Sequence, residues 1–360
     1  YAIRYAGFEK TKQVEQWYRM NKAQNIAEFE QAMQMMQIPM FNTGYADYDG
    51  NLFYIYNALL PKRLENYNWA GILPGDNSEL IWNTYYPYDS LPQIKNPESG
   101  FFQNCNSTPY LASFGEDNPD IILPQNTGIE TFQTNRAMRA HELFGADKAI
   151  SKEEFYSYKY DTYYSEKSSV NVQINKFLTE TETKDPIILR ALQLIKNWDL
   201  GNQEYNKGAA LAMLTFKPSH NVQKNKYHHS TIMKRLEESC DFLIQEFGRL
   251  DIELGQLLRL KRGHVNLPLG GAPDVIRAIY PIKKGNELIA WNGDCYFEIV
   301  EWDSNGIVSA ESIHQYGTAT SNPNSPHYSD QSELFSQYKM KPVLMDLEDI
   351  KHNLKTSYIP

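Results

Sequence analysis

A chain of 360 residues with 22% charged and 41% hydrophobic residues has the composition of a globular protein with room for a large core. Its formal net charge is −9, its acids are dispersed and no basic stripe stands out, which argues against a nucleic-acid partner. Its longest apolar runs, such as Ala209–Leu214, are far too short to span a bilayer.

Tyr1–Phe8 alternates and predicts a strand. Thr11 then predicts the cap of a helix to Asn21, with Val14, Trp17 and Tyr18 on one face. A second helix is predicted over Ile26–Met36, where Ile26, Phe29, Ala32, Met33 and Met36 recur at three and four and Pro39 closes the run. Phe41–Ala58 reads as a hairpin turning at Asp49-Gly50, because Gly accepts the positive φ a tight turn needs. Residues 59–99 read as irregular loop with short strands, and Gly100–Ser107 as a short strand running into a polar turn. Residues 108–130 read as loop, and Phe132–Phe144 as a helix that stops at Gly145.

The middle of the chain turns helical. Ser151–Glu154 has the form of a capping box, and Asp185-Pro186 suits a helix start that runs through Trp198. Lys207–Phe216 predicts another helix. Thr231–Phe247 gives the clearest one, with Ile232, Leu236, Cys240, Leu243, Ile244 and Phe247 on one stripe. From Asp274 the period changes to two. Val275–Tyr280, Glu287–Trp291, Cys295–Trp302 and Ile307–His314 predict an antiparallel meander with turns at Gly285-Asn286, Asn292–Asp294 and Ser304–Gly306. Strands, then helices, then strands indicate an α+β chain rather than repeated βαβ units. On this reading 1–145 and 265–360 hold core sheets with flanking helices, and 146–264 is a mostly helical insertion.

Chemistry by spacing is scarce. The chain has no G-x-S-x-G elbow, no H-E-x-x-H pair and no Walker loop. Cys105, Cys240 and Cys295 fit no zinc spacing and allow at most one internal disulfide. His220, His228 and His229 lie close in sequence, either as part of a metal site that needs a further ligand or as a solvated loop. Lys261-Arg262-Gly263-His264 reads as a basic surface turn or a small anion site. The 25 tyrosines cluster beside Asn, Asp and Gly, as in Asn83–Ser90, and either line a groove or pack under long loops.

The stretch His314–Gln331 places two His, an Asp and two Gln around two prolines, between a strand-like run and the amphipathic run Ser332–Tyr338. It resembles the C-terminal signature of the penicillin acylase family of N-terminal-nucleophile amidohydrolases. Other segments resemble the family in order: Tyr1–Gly7, Asn42–Asn51, Leu60–Arg63, Pro97–Ser107, Arg136–Phe144, and Arg259–Ile279 with Asn266–Asp274. The last block is similar to the branch of acyl-homoserine-lactone and aculeacin-type acylases.

The resemblance implies an αββα N-terminal-nucleophile sandwich, here lacking its first strands, with 1–360 a segment of the family's β chain. It implies hydrolysis of an N-acyl amide by a Ser whose own α-amino group is the base, a group that titrates near 8. Tyr1 is not that nucleophile, which is expected upstream of it. The second Asn of the family's Gly-aromatic-x-x-Asn-x-Asn segment donates to the oxyanion, and here it is Asn106. Its other reading is that Asn104 and Asn106 satisfy turn backbone. Arg136 falls where the family carries an Arg that orients the site, or it is a helix-surface Arg. His314, His327, Tyr328, Asp330 and Gln331 are read as bracing the chain end. The partners implied are a small N-acyl substrate and an α chain from the same precursor, in a periplasmic or secreted setting. No cofactor is expected, and the structural calcium of some relatives has no assignable ligands here. The alternatives are a non-catalytic binding module, an inactive remnant of the fold, or an enzyme whose site lies at the His220–His229 loop.

Overall fold

The computed structural model describes residues 1–219 and 227–357, and the chain divides into two units, Tyr1–Gln133 and Thr134–Pro360. The first unit sets helices α1 (Gln13–Lys22) and α2 (Ile26–Gln34) beside a three-stranded antiparallel sheet. Its strands are β1 (Met40–Ala46), β2 (Leu52–Ala58) and β3 (Gln93–Lys95), in that spatial order. Asn25 caps α2 by accepting from the Glu28 N–H. The hairpin forms as expected: the Asp47 carboxylate accepts from the Asn51 N–H, and Gly50 turns at φ +85°. Central β2 buries Phe53 and Ile55 against Phe29, Met33, Leu60 and Leu91. The partly buried Tyr86, Tyr88 and Tyr110 pack on the same cluster, so these tyrosines lie under loops.

Two strand predictions fail in this unit. Tyr1–Phe8 forms no strand, because Gly7 turns the chain at φ +88° with Pro39 so close that a β-carbon would sit 2.7 Å from its ring. Gly100–Ser107 forms none either, since Gly100 and Asn106 both take positive φ and interrupt any ladder. In addition, α1 begins after Lys12 rather than at Thr11 and has no side-chain cap.

The second unit opens with α3 (Asn135–Ala146), α4 (Lys152–Lys159), α5 (Ser169–Glu180), α6 (Pro186–Lys196), α7 (Ala209–Phe216), α8 (His229–Phe247) and α9 (Leu254–Leu257). The Ser151–Glu154 capping box is present, and Asp185 caps α6 as predicted. Helix α3 runs through Gly145 instead of stopping there, and α5 was not foreseen. Phe177, Ile195, Leu211, Leu236 and Leu243 join these helices to the sheet residues Leu258 and Leu260 in one core.

The strands that follow are β4 (Leu258–Arg262), β5 (Val265–Pro268), β6 (Ile279–Lys284), β7 (Glu287–Gly293), β8 (Tyr296–Trp302) and β9 (Val308–His314), then α10 (Ser332–Ser336), β10 (Lys341–Pro342) and α11 (Leu347–His352). They build two sheets, ordered β5-β4-β7-β6 and β10-β9-β8, with β4 and β7 parallel. The predicted single meander is therefore split between β7 and β8. Gly293 takes φ +120° hard against the Ala278 carbonyl, and Asp294 N–H bonds to that carbonyl, so the chain leaves the edge of the first sheet there. The strand predicted over Val275–Tyr280 starts only at Ile279, because Asp274 stands at φ +65° and the Arg277 N–H goes to Asp161 instead of a ladder. The basic segment 261–264 is the β4–β5 turn, with Gly263 at φ +58°. Among the described residues no helix is long and apolar enough to cross a membrane.

Candidate functional site

In the first unit the hairpin and the 100–107 segment converge. The Tyr54 hydroxyl, on a nearly buried ring of β2, donates to Asn42 Oδ1 at 2.7 Å and accepts from Asn104 Nδ2 at 3.2 Å. Asn104 Oδ1 then accepts the Asn106 N–H at 3.0 Å, which closes a tight side-chain turn and holds Asn106 at φ +56°. Asn is among the few residues that adopt this left-handed backbone at little cost. Phe102 closes over Gly44, where a β-carbon would come within 2.9 Å of its ring. The result is a relay from β1 through β2 to an exposed Asn106. Asn104 thus satisfies turn backbone, its Nδ2 also lying 3.4 Å from the Ser107 carbonyl.

The relay is neutral. Burial pushes the Tyr54 phenol far above its ordinary range; the hydrogen bond from Asn104 pulls partly the other way, and the charge of Glu130 adds a smaller push upward. The hydroxyl therefore stays protonated, and its donation to Asn42 does not change around neutral pH. Tyr56 behaves alike, raised by burial and by the Glu130 carboxylate it donates to at 3.0 Å.

Arg136 belongs to the second unit, at the start of α3 behind the Thr134 cap. Its Nε lies 3.3 Å from Asp274 Oδ1, with side chains only 18% and 6% exposed, so it is not an open helix-surface Arg. Asp274 Oδ2 accepts the Asn135 N–H at 2.8 Å, and its carbonyl accepts Asn135 Nδ2 at 2.8 Å. One carboxylate thus serves both a helix N-terminus and a guanidinium. One turn on, Arg139 grips Asp161 through Nε at 3.1 Å and Nη2 at 2.7 Å and reaches Glu142 at 2.9 Å. Burial works against the Arg139 charge, and the Asp161 and Glu142 carboxylates outweigh it, so its pKa rises.

Sequence reasoning missed Asp274, Asp161 and Arg277. Arg277 is fully buried, donates to the Phe335 carbonyl at 2.6 Å, faces the Phe335 ring at 3.8 Å and lies 3.7 Å from Asp294. It pins α10 to the sheet. The signal was present only in part: Asp274 ends the segment Asn266–Asp274, but nothing in its neighbours marks its positive φ.

His220 lies outside the described residues. His229 bonds Thr181 at 2.9 Å and packs on Phe177, and among the described residues no three His, Cys, Asp or Glu are placed to hold a metal. The C-terminal stretch braces itself. Gln331 Oε1 accepts the His314 N–H at 2.9 Å, and the exposed His327 pairs with Asp330 at 2.8 Å. Arg262 lies over Tyr328 at 3.9 Å, and Gly317 sits so close to the His327 carbonyl that no side chain fits. Cys105 is half-buried, Cys240 buried and Cys295 exposed, and none of the three forms a disulfide.

A family model for penicillin amidase matches residues 1–352. Among curated proteins, the chain is 22% identical to the acyl-homoserine lactone acylase PvdQ of Pseudomonas savastanoi pv. phaseolicola, covering 98% of this chain and 51% of that protein. It is 29% identical over 93 residues to the penicillin G acylase of Escherichia coli, covering 26% of this chain and 11% of that one. The structure superposes on a thermostable penicillin G acylase from Alcaligenes faecalis with TM-score 0.61 at 17% identity, covering 97% of this chain and 72% of that one. This likeness gives the chain the α+β N-terminal-nucleophile hydrolase fold expected from its sequence. The chain spans about half the length of the PvdQ relative that it matches from end to end.

Proposed function

The chain belongs to the penicillin amidase family, and from that premise we propose that it forms part of an acylase hydrolysing the amide bond of an N-acyl substrate. The substrate class is an acyl-homoserine lactone, a lipopeptide or a penicillin-like amide. The nucleophile is a Ser of the same precursor outside these 360 residues, on a β chain paired with an α chain, in the periplasm or outside the cell. The Ser hydroxyl adds to the acyl carbon and passes its proton to its own α-amino group. Asn106 donates its side-chain amide to the oxyanion that forms. Collapse expels the amine, which takes the proton. Water then cleaves the acyl ester, releasing the carboxylic acid and restoring Ser. Arg136, held by Asp274 within the second unit, is carried over from the family as an orienting residue.

The observation that supports this reading most is the relay ending at Asn106. A neutral, pH-insensitive and partly buried hydrogen-bond chain fixes the backbone of Asn106, and a side-chain amide on such an anchored residue suits the electrostatic stabilisation of an oxyanion. The test is Asn106→Ala in the complete, assembled protein, assayed on N-acyl amides of graded chain length. Turnover is expected to fall about 10²–10³-fold with the fold intact. Unchanged turnover removes Asn106 from the mechanism. No turnover by the unaltered protein on any of these amides would leave a binding module or an inactive remnant.

A further inference from the structure

A cavity of about 340 Å³ opens in the second unit where the end of α7, helix α8 and the β6–β7 hairpin meet. Met213, Leu214, Phe242 and Leu288 give it an apolar wall, and two of these, Met213 and Leu288, are buried. Three cations stand on the same wall: Lys217, Arg235 and Lys283. Lys283 Nζ is held 3.8 Å from the Phe242 ring centroid, so its charge lies directly beside the apolar surface. Lys217 ends α7 at φ +46°, a position that favours Gly, yet here it carries a cation to the rim. Among the described lining residues the acid is Glu238, whose carboxylate lies 3.8 Å from Lys234. Among the described residues, the cavity therefore combines apolar surface with three cations against one acid.

We propose that this cavity binds a medium-chain carboxylate, with its tail on Phe242, Met213 and Leu288 and its head on Arg235 and Lys283. Arg pairs with a carboxylate through two parallel N–H bonds, which a Lys beside it reinforces. At roughly 30 Å³ per water-sized methylene, the volume of about 340 Å³ has room for a single chain of about ten carbons. The site stands independently of the hydrolysis proposed above, although the acid that reaction releases belongs to the same class.

The experiment is a titration of the assembled protein, labelled with ¹³C-methyl methionine, with hexanoate, octanoate, decanoate and decanol. Met213→Leu identifies the Met213 signal. Decanoate is expected to shift that signal saturably, with affinity rising about fourfold per methylene along the series. Decanol and the double variant Arg235→Ala/Lys283→Ala are each expected to bind at least about tenfold more weakly, since each loses a charge-assisted pair. An unmoved Met213 signal overturns the proposal. So does decanol binding as tightly as decanoate, or a double variant that binds like the parent with an otherwise unchanged methionine spectrum. Decanoate held only at a catalytic centre would move other methionines and ignore the double variant, which also overturns it. A protein that hydrolyses no amide but keeps the Met213 response refutes the acylase reading and leaves this one standing.

Discussion

Replacing Asp274 by asparagine removes one negative charge and little else. The side chain keeps its shape, and Asn tolerates the φ of +65° at this position. What is lost is the charge that accepts the Asn135 N–H at 2.8 Å and faces Arg136 Nε at 3.3 Å, in a pair whose side chains are 6% and 18% exposed. Breaking a buried pair by removing one partner costs about 3–5 kcal/mol. Here Arg136 keeps some solvent and Asn keeps one acceptor, so about 2–3 kcal/mol is expected. Asp274→Ala also loses the acceptor and puts an ordinary side chain in left-handed backbone, which adds about 1 kcal/mol. The assay is calorimetric unfolding of the assembled protein. At roughly 2–4 °C per kcal/mol for a unit of this size, Asp274→Asn should lower Tm by about 5–10 °C and Asp274→Ala by more. In an Arg136→Met background the cost of Asp274→Asn should fall by about 1 kcal/mol or more, the signature of direct coupling. A Tm within a degree of the parent, a smaller effect for Ala than for Asn, or a cycle with no coupling would refute the reasoning.

Tyr54→Phe keeps the ring on Phe102 but leaves Asn42 and Asn104 without their common hydroxyl, so a loss of about 1–3 kcal/mol and faster hydrogen exchange at the Asn106 amide are expected; unchanged exchange there rules out the relay. Gly317→Ala drives a methyl into the His327 carbonyl and should cost about 1–3 kcal/mol by thermal unfolding, whereas a neutral outcome would show that the C-terminal brace can yield. Burial, then the nearby Asp241, Asp185 and Glu237 charges, push the Cys240 thiol up to about 12. Because the folded value is raised, its contribution to stability is full below the unfolded value of about 8.5 and fades as pH climbs through the folded one. At pH 8 a thiol reagent should therefore label exposed Cys295 in the native protein and Cys240 only after unfolding, and native labelling of Cys240 contradicts this. Ile3, Phe8, Val14, Trp17 and Met40 are exposed, so the 360 residues made alone should self-associate, and a monodisperse monomer in light scattering would argue otherwise.

Local signals with a single physical cause were legible. Asp49-Gly50 marks the hairpin turn, Ser151 with Glu154 and Asp185 with Pro186 specify two helix starts, and the α8 stripe buries Ile232, Leu236, Cys240 and Leu243, although its predicted member Ile244 is exposed. Long-range choices were not. Strands β7 and β8 each read correctly, yet only the approach of Gly293 to the Ala278 carbonyl decides that they belong to different sheets. The site divides in the same way. Asn104 and Asn106 are two apart, so their turn can be anticipated, whereas Tyr54 and Asp274 meet their partners across 50 and 138 residues and have no local signature.

Helix α1 shows where periodicity stops being informative. Val14, Trp17 and Tyr18 form an apolar face by spacing, and such a face ordinarily turns toward a core. In the structure all three are exposed, while Gln16 is fully buried. The inversion has a polar cause. Gln16 Oε1 accepts the N–H groups of Gln37 at 2.7 Å and Ile38 at 3.1 Å, satisfying the backbone as it enters β1. The buried Ile38 N–H without a partner would cost about 1–3 kcal/mol and the part-buried Gln37 N–H adds to it, comparable to covering one large apolar side chain. A helical stripe therefore says which residues share a face, and the unmet hydrogen bonds of the neighbouring chain decide which face turns inward.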